Sequence, residues 1–314
     1  MATPEGGKSH SPGGDTVAPM PTRSERKTQR VGRRPSRRPK SITVPWVRRK
    51  SGRDEPLVMV TAYDFPQARA ADAADVDLVL VGDSLAMVVL GHSDTLSLTV
   101  EEMLHHVRAV RRGTDRALLV ADMPFGSFHL SAEQAVSNAL RFVKEGGAQA
   151  VKIEGARPEV IEAIAGAEIP VMAHLGLTPQ SLHKFGGFKV QGKTASARRA
   201  MLDSALAVEE AGAFAVVLEC VPADLAAEVS ERLSIPTIGI GAGVGCDGQV
   251  LVFHDLLGLE DRLAPRFVRR YAELGASTRE ALTEYAADVR ARRFPNAEES
   301  FRSPTETKVE RLYG

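Results

Sequence analysis

The sequence has few of the features that mark secreted, membrane or disulfide-stabilised proteins. Its 314 residues include only two cysteines, Cys220 and Cys246, which cannot form a disulfide framework. No apolar run approaches the roughly 18 residues that a membrane-spanning helix needs, and the N-terminus lacks the apolar core of a secretory signal. We therefore expect a cytoplasmic protein that does not associate with a membrane.

A net charge is also lacking, since 40 Lys and Arg balance 40 Asp and Glu. The balance conceals an asymmetric distribution, because residues 1–50 hold 13 basic and 3 acidic residues. The remainder of the chain carries the matching excess of acidic residues. The overall zero therefore gives little information about charged partners.

The first 40 residues are rich in Pro, Gly, Ser and Arg and contain few apolar residues. Burial in such a segment cannot offset the entropy of ordering it, so we expect residues 1–40 to form a disordered basic tail. Three other interpretations stay open: an organelle transit peptide, an arm for nucleic acid or a membrane surface, and translation starting at Met20. Because no aromatic residue is interleaved before Trp46, nucleic acid is not an expected partner.

From Pro56 onward, short β-branched apolar runs alternate with helical segments rich in Ala, Leu and Glu. Eight runs predict strands, at residues 57–64, 76–84, 117–125, 150–155, 170–176, 213–221, 236–243 and 250–255. Apolar runs that alternate with helices are typical of parallel βαβ units, and eight units favour an α/β fold of the closed (β/α)8 TIM-barrel type. We expect residues 41–300 to form the barrel with C-terminal helices, including helical segments at 267–275 and 278–293. Residues 301–314 are expected to form a C-terminal tail.

Ionisable or small polar side chains stand at the C-terminal ends of most predicted strands. They are Asp64, Asp83, Ser84, Asp122, Lys152, Glu154, His174 and Glu219. In a barrel these ends converge on one face, where active sites are built. One Asp at a strand end is more often the N-cap of the next helix, but several converging carboxylates repel one another unless a cation compensates. The pattern therefore predicts a hard divalent cation, Mg²⁺, with oxygen ligands.

In their order along the chain, these segments resemble the ketopantoate hydroxymethyltransferase family. The matching segments are VTAYD, LVGDSLAMVVLGH, ADMPF, VKIEG, AHLGLTPQS, FGGFKVQGK, LECVP, IPTIGIGAG and DGQVLVFHD. The resemblance implies a (β/α)8 barrel that transfers a hydroxymethyl group from 5,10-methylenetetrahydrofolate to 3-methyl-2-oxobutanoate, giving 2-dehydropantoate for pantothenate synthesis. It also implies Mg²⁺ and a large homo-oligomer, typically a decamer. Ala86 departs from the glycine that many members have at this position.

The resemblance further implies roles for individual residues. Three carboxylates match metal ligands of the family: Asp83, Asp122 and Glu154. Four side chains match groups that contact the keto acid: Asp83, Ser84, Asp122 and Lys152. Glu219 matches the proposed general base, and His174 lies in the same pocket without a settled part.

These residue types suit the chemistry, because a new bond at C3 of a 2-oxo acid requires loss of a weakly acidic proton. Mg²⁺ on the carboxylate and keto oxygens would stabilise the enolate. Lys152 can add positive charge where the oxyanion develops, and Glu219 can take the proton if burial raises its pKa.

Two other functions fit parts of the pattern. A lyase or mutase of the phosphoenolpyruvate mutase and isocitrate lyase kind shares the barrel and the Asp ligands. It usually carries a nucleophilic cysteine in a K-x-C-G-H-type loop, which this sequence lacks. The second alternative is a non-catalytic barrel, and the joint presence of Asp83, Asp122, Lys152 and Glu219 argues against it.

Two local features have simpler interpretations. The run GIGAGVG precedes a strand and not a helix, so it predicts a tight turn that permits close substrate approach, and not a nucleotide-binding loop. Cys220 follows Glu219, and strand alternation predicts that it points away from the site and packs in the core.

Overall fold

The computed structural model describes residues 39–52, 55–260, 262 and 265–303. The expected disorder of the tail at 1–40 and the expected C-terminal tail at 301–314 therefore lie almost wholly outside the described residues and stay predictions. Within the described part of the chain, every helix is too short or too polar to cross a lipid bilayer.

Eight parallel strands form a closed barrel in which each strand pairs with the next and the last pairs with the first. The strands are β1 (Leu57–Thr61), β2 (Leu78–Val81), β3 (Leu118–Asp122), β4 (Ala150–Glu154), β5 (Val171–Gly176), β6 (Ala215–Glu219), β7 (Thr237–Ile240) and β8 (Gly248–Leu251). The predicted TIM barrel is confirmed. A closed parallel sheet has no edge strand, so all eight strands are paired on both sides.

Most helices of the described residues lie between these strands along the chain, whereas one precedes β1 and two follow β8. They are α1 (Val44–Arg48), α2 (Phe65–Ala73), α3 (Leu85–Val88), α4 (Val100–Arg112), α5 (Ala132–Lys144), α6 (Pro158–Gly166), α7 (Leu182–Phe185), α8 (Ala195–Glu210), α9 (Ala223–Arg232), α10 (Phe253–Leu256) and α11 (Leu274–Arg290), with a 3₁₀ turn at Pro179–Ser181. Helix α4 shows why such segments are helical. Thr99 and Glu102 form a capping box at its start, and Arg111 and Arg112 lie in its last turn, where cations suit the helix dipole.

Two predicted boundaries near the C-terminus are wrong. The last strand ends at Leu251, because the N–H of Phe253 donates to the Thr61 hydroxyl (2.9 Å) and the chain turns into α10. The segment from residue 267 is not helical before Leu274, since the N–H of Tyr271 donates to the carbonyl of Leu256 (2.8 Å) and not to a carbonyl four residues earlier. In both places a tertiary hydrogen bond overrides the local pattern.

Alternate residues of each strand face two separate apolar layers. In β2, Leu78 and Leu80 point into the barrel, while Val79 and Val81 pack beneath the helices. All four are buried. Because both faces of the sheet are covered, the strands have the continuous apolar sequences that predicted a parallel barrel.

The segment before β1 closes the base of the barrel, at the N-terminal ends of the strands. Ile42 and Val47 are fully buried in the interior cluster together with Leu57 and Leu118. The N–H of Ile42 donates to the carbonyl of Arg116 (2.8 Å), which fixes the segment across the base. The polar strand ends lie at the opposite face, and they carry the candidate site.

Candidate active site

A cavity of about 640 Å³ opens at the C-terminal ends of the strands. All seven side chains that the sequence assigned to the site line it: Asp83, Ser84, Asp122, Lys152, Glu154, His174 and Glu219. Strand register brings them together, because Asp122 of β3 is level with Lys152 of β4, and Glu154 of β4 is level with His174 of β5. The barrel therefore brings these seven side chains together on one face, as the sequence predicted.

Five of these ionisable side chains are removed almost completely from solvent. Exposure is 4% or less for Asp83, Asp122, Lys152, Glu154 and His174. Charged groups are rarely buried to this degree unless they are paired, because losing hydration costs several kcal/mol per ion. Such a concentration of buried charge is typical of a functional site.

Lys152 and Asp122 form the central ion pair of the site. The Nζ atom of Lys152 lies 2.5 Å from Oδ1 of Asp122, and Oδ2 of Asp122 accepts a hydrogen bond from the N–H of Asp83 (3.1 Å). Burial alone would favour a neutral amine, but the carboxylates of Asp122, Glu154 and Asp83 raise the pKa of Lys152 above its ordinary value. The structure therefore places a permanent positive charge on the cavity wall.

Asp83 lies in an environment that disfavours its ionised form. Burial raises its pKa well above the ordinary value, and the neighbouring charges of Glu154 and Asp122 raise it further. The Lys152 ammonium opposes these effects without cancelling them. Asp83 is thus a carboxylate that an additional cation would stabilise.

Sequence reasoning missed Gln180, which connects two of the predicted metal ligands. Its Nε2 donates to Oδ2 of Asp83 (2.8 Å) and to the carbonyl of Met123 (3.1 Å), and its backbone N–H donates to Oε2 of Glu154 (2.9 Å). Gln180 lies in the 3₁₀ turn after β5, away from any strand end. The rule that located the other residues could not find it, although it falls within the matching segment AHLGLTPQS.

His174 lies between two carboxylates. Its Nε2 is 3.2 Å from Oε2 of Glu219, and its Nδ1 is 3.5 Å from Oε1 of Glu154. Burial and the charge of Lys152 oppose ionisation of the ring, but Glu154 and Glu219 raise the pKa of His174 to about 9. An imidazolium is therefore the favoured state of the ring at neutral pH.

Buried Tyr63 forms a hydrogen bond with Ser84, which lines the cavity. Its hydroxyl lies 2.9 Å from Oγ of Ser84, and its side chain is 1% exposed. Burial raises the pKa of Tyr63, so the phenol stays protonated and can donate to Ser84. A side chain at Gly82 would bring its Cβ within 2.9 Å of the same Oγ atom, so this turn requires glycine.

Asp64 has a different role, because its Oδ1 caps α2 by accepting from the N–H of Gln67 (2.8 Å).

Cys220 lines the cavity and does not pack in the core as strand alternation predicted. It has a positive φ of 48° immediately after β6, so the alternation ends at Glu219. Burial raises the pKa of this thiol to about 11. Cys220 is therefore protonated and unsuited to act as a nucleophile at neutral pH.

The described residues contain no group of three or more His, Cys, Asp or Glu side chains that could hold a metal ion by themselves. Asp83 and Asp122 are nevertheless adjacent, since the backbone N–H of the first donates to the carboxylate of the second. Buried carboxylate oxygens with unrelieved repulsion are the donors that Mg²⁺ prefers, and Mg²⁺ commonly completes its coordination with substrate oxygens and water. The donor set fits Mg²⁺ held jointly by protein and substrate.

Comparisons with known proteins agree on the family. A family model described as ketopantoate hydroxymethyltransferase matches residues 41–297. A protein of Carboxydothermus hydrogenoformans named 3-methyl-2-oxobutanoate hydroxymethyltransferase is 51% identical over 274 residues, which are 87% of this chain and 99% of that protein. A protein of the same name from Gloeobacter violaceus is 56% identical over 253 residues, 80% of this chain and 97% of its own length.

Solved structures of lower similarity share the architecture. Phosphonopyruvate hydrolase aligns with a TM-score of 0.54 at 14% identity, covering 83% of this chain and 92% of that chain. A 2,3-dimethylmalate lyase of the phosphoenolpyruvate mutase and isocitrate lyase superfamily gives a TM-score of 0.52 at 16% identity, over 82% and 91% of the two chains. At these identities the likeness supports the barrel fold alone.

Proposed function

This chain belongs to the ketopantoate hydroxymethyltransferase family, and from that membership we propose its reaction in full. It is a transferase that moves a hydroxymethyl group onto 3-methyl-2-oxobutanoate. The one-carbon donor that we propose is 5,10-methylenetetrahydrofolate, the metal is Mg²⁺, and the product is 2-dehydropantoate. The single observation that carries the proposal is the buried Lys152–Asp122 pair beside Asp83, opposite a partly exposed Glu219, around one cavity.

The charged half of the cavity suits a small 2-oxo acid. Lys152 supplies a cation and Ser84 supplies a hydroxyl, and both line the cavity. Because Tyr63 can donate to Ser84, the Ser84 proton is free to point toward a substrate carboxylate oxygen. The ammonium of Lys152 lies where it can stabilise negative charge on the keto oxygen as the C3 proton leaves.

Glu219 is the proposed general base. Its side chain is 17% exposed, whereas the other carboxylates of the site are almost fully buried, so it can reach a bound substrate. His174 approaches only one of its oxygens, Oε2, at 3.2 Å. The contact orients the carboxylate and leaves the second oxygen available for the C3 proton.

Asp83 and Asp122 are the proposed Mg²⁺ ligands, with Glu154 as a further, indirect one. When bound, Mg²⁺ would supply positive charge to the keto and carboxylate oxygens of the substrate. Gln180 contributes by holding Asp83 and Glu154 in place through its amide and backbone N–H groups.

The bonds of the reaction balance as follows. Glu219 takes the proton of C3, and the resulting enolate carbon attacks the methylene carbon of the donor. A C–C bond forms at the methylene carbon, both bonds from that carbon to N5 and N10 of the donor break, and water supplies the hydroxyl oxygen. The two nitrogens gain one proton from water and the C3 proton that Glu219 took. Tetrahydrofolate leaves, because the donor already carries its carbon at the oxidation level of formaldehyde.

Proton NMR of 3-methyl-2-oxobutanoate in deuterated buffer tests the proposal. With protein and Mg²⁺ alone, the C3 proton signal should decay by exchange. With 5,10-methylenetetrahydrofolate added, the methylene signals of 2-dehydropantoate should appear in step with loss of substrate. Exchange without product would contradict the proposed donor, and absence of both would contradict the enolate mechanism. Cleavage of the keto acid instead would indicate the lyase alternative.

We also propose that the chain is a cytoplasmic homo-oligomer, with the decamer typical of the family. Support comes from α11, where Leu282, Tyr285 and Val289 are exposed at helical spacing and none of its residues is buried. An apolar stripe of this kind commonly packs on another copy. Sedimentation velocity of the full chain tests this, and a monomer at micromolar concentration would contradict it.

A further inference from the structure

Half of the cavity wall has no part in the chemistry described above. The groups assigned to the keto acid lie at the ends of β2 to β5, and the base lies at the end of β6. The wall formed by β7, β8 and the chain that follows them carries five apolar side chains, Ile240, Val250, Val252, Pro265 and Phe267, together with the charged Asp255, Glu260, Arg262 and Arg266. A cavity of about 640 Å³ is within the range that holds a drug-sized ligand and is much larger than a small keto acid needs.

Asp255 carries a carboxylate in this half of the cavity that the proposed chemistry does not use. It lies in α10, directly after β8, and it lines the cavity. No described residue donates a hydrogen bond to its side chain, whereas the neighbouring Glu260 is paired with Arg262 (Nε to Oε1, 3.0 Å). Asp255 is partly exposed, so its oxygens are free to accept hydrogen bonds from a ligand in the cavity that brings the donors.

The charge state of Asp255 suits that role. Burial, helped by the charge of Glu260 and opposed by Arg270, raises the pKa of Asp255 to about 6. The group is therefore mostly ionised at neutral pH, and it can accept two parallel hydrogen bonds.

An aromatic side chain lines the cavity beside the end of β7. The end of β7 carries Gly241, which has a φ of 62°, and a Cβ there would lie 2.8 Å from the ring of Phe267. Phe267 thus packs against this glycine, and its partly exposed ring lines the cavity, where a flat ligand ring could stack on it. Neighbouring strands are about 4.8 Å apart, so the strand ends that carry Glu219 and Asp255 are separated by roughly 10 Å along the rim.

We propose that this half of the cavity binds the pterin head of the one-carbon donor, with the Asp255 carboxylate accepting hydrogen bonds from its ring N–H and its 2-amino group. The inference rests on the proposed function, because it takes a folate as the donor. A pterin presents these two N–H groups side by side on one edge, at the spacing of carboxylate oxygens. With that edge on Asp255, the rest of the ring extends over β7 toward Glu219. The methylene carbon of the donor then lies toward the half of the cavity that holds C3 of the keto acid.

Direct binding of tetrahydrofolate tests the inference without turnover, since it lacks the carbon to be transferred. Isothermal titration calorimetry would compare wild type with Asp255→Asn, in the presence of Mg²⁺ and 3-methyl-2-oxobutanoate. Asparagine keeps the size but replaces one acceptor by a donor that faces the pterin's own donors. The affinity for tetrahydrofolate should fall roughly tenfold to a hundredfold, the range expected when a charge-assisted bidentate contact is lost.

Asp64→Asn is the matched control. Asp64 lies on the same face of the barrel but caps α2 outside the cavity, and asparagine serves equally well at an N-cap. Its tetrahydrofolate affinity should equal that of the wild type. A second pair of titrations separates the two ends of the ligand: Asp255→Asn should weaken binding of 6-methyltetrahydropterin but leave binding of p-aminobenzoylglutamate unchanged.

The outcomes distinguish this inference from the proposed function. If wild type binds tetrahydrofolate and Asp255→Asn binds it equally well, the pterin position is wrong while the proposed reaction stands. If affinity for the keto acid falls as much as affinity for tetrahydrofolate, Asp255 acts on the other substrate or on folding, and the inference is overturned. If wild type exchanges the C3 proton but binds no folate compound, the proposed donor fails and the inference fails with it.

Discussion

The ammonium of Lys152 and the carboxylate of Asp122 meet at 2.5 Å in the floor of the cavity, and neither side chain is more than 5% exposed. Breaking a buried pair leaves one charge without a partner, which costs about 3–5 kcal/mol. Loss of either partner should therefore destabilise the fold, and this effect can be measured separately from the part in the reaction that we propose for Lys152.

Lys152→Met should lower the free energy of unfolding by about 3 kcal/mol or more, because Asp122 loses its counter-charge in a buried position. It should also slow C3 proton exchange, since the ammonium no longer adds its charge to that of the proposed Mg²⁺ at the keto oxygen. Urea unfolding and deuterium exchange measure the two effects. The control is Arg232→Met, which breaks an exposed pair with Glu228 and should cost less than about 1 kcal/mol. Equal effects of the two substitutions would contradict the assigned role of the buried pair.

Glu219→Gln should slow C3 proton exchange by about 10² to 10⁴, because the amide keeps the shape of the side chain but cannot accept the proton. Binding of the keto acid should persist. Glu162→Gln, on the exposed surface of α6, is the matched control and should exchange at the wild-type rate. If the variant exchanges the C3 proton normally but does not transfer the one-carbon unit, Glu219 acts on the donor and not on the C3 proton. His174 could not replace Glu219 as the base at neutral pH, because its ring is already protonated.

Asp83→Asn should raise the melting temperature in the absence of metal. The pKa of Asp83 is raised in the folded state, so its ionised form destabilises the fold at neutral pH, and a neutral amide removes that cost. Wild type should gain about 2.7 kcal/mol when Mg²⁺ is present at a hundred times its Kd, and Asp83→Asn should lose this gain. Calorimetry with and without Mg²⁺ measures both.

Asp122→Asn should instead lower the melting temperature, because it leaves Lys152 unpaired.

Asp255 should make stability depend on pH in a defined window. The pKa of its carboxyl is about 6 in the folded state and is lower when the chain unfolds, so between these values the folded state holds the extra proton. Its contribution to stability therefore falls as pH rises from about 4 to 6. The charges that face it are Glu260 and Arg270, together with Tyr63 and His254 nearby. Melting curves of wild type and Asp255→Asn should converge at pH 4, with the variant more stable at pH 7. A constant difference across this range would contradict the raised pKa.

The sequence predicted the barrel and most of the site because both follow from one regularity. Apolar runs end in polar residues, and parallel strands present those ends on one face, which located Asp122 and Lys152 without any structure. The same regularity could not find Gln180, which reaches the site from a 3₁₀ turn, or the support that Tyr63 gives to Ser84. It also misdirected Cys220, because alternation ends where the backbone adopts a positive φ. Contacts between loops depend on tertiary geometry, and local patterns do not encode it.

The buried segment at the base of the barrel has a kinetic consequence. Because Ile42 and Val47 fill the base, both substrates must use the same entrance at the opposite face. The groups for the keto acid are the most deeply buried, whereas those proposed for the donor lie nearer the rim. A bound donor would therefore block the way in. If both substrates bind as proposed, the order of addition is compulsory: the keto acid binds first and the donor second, and tetrahydrofolate departs before 2-dehydropantoate.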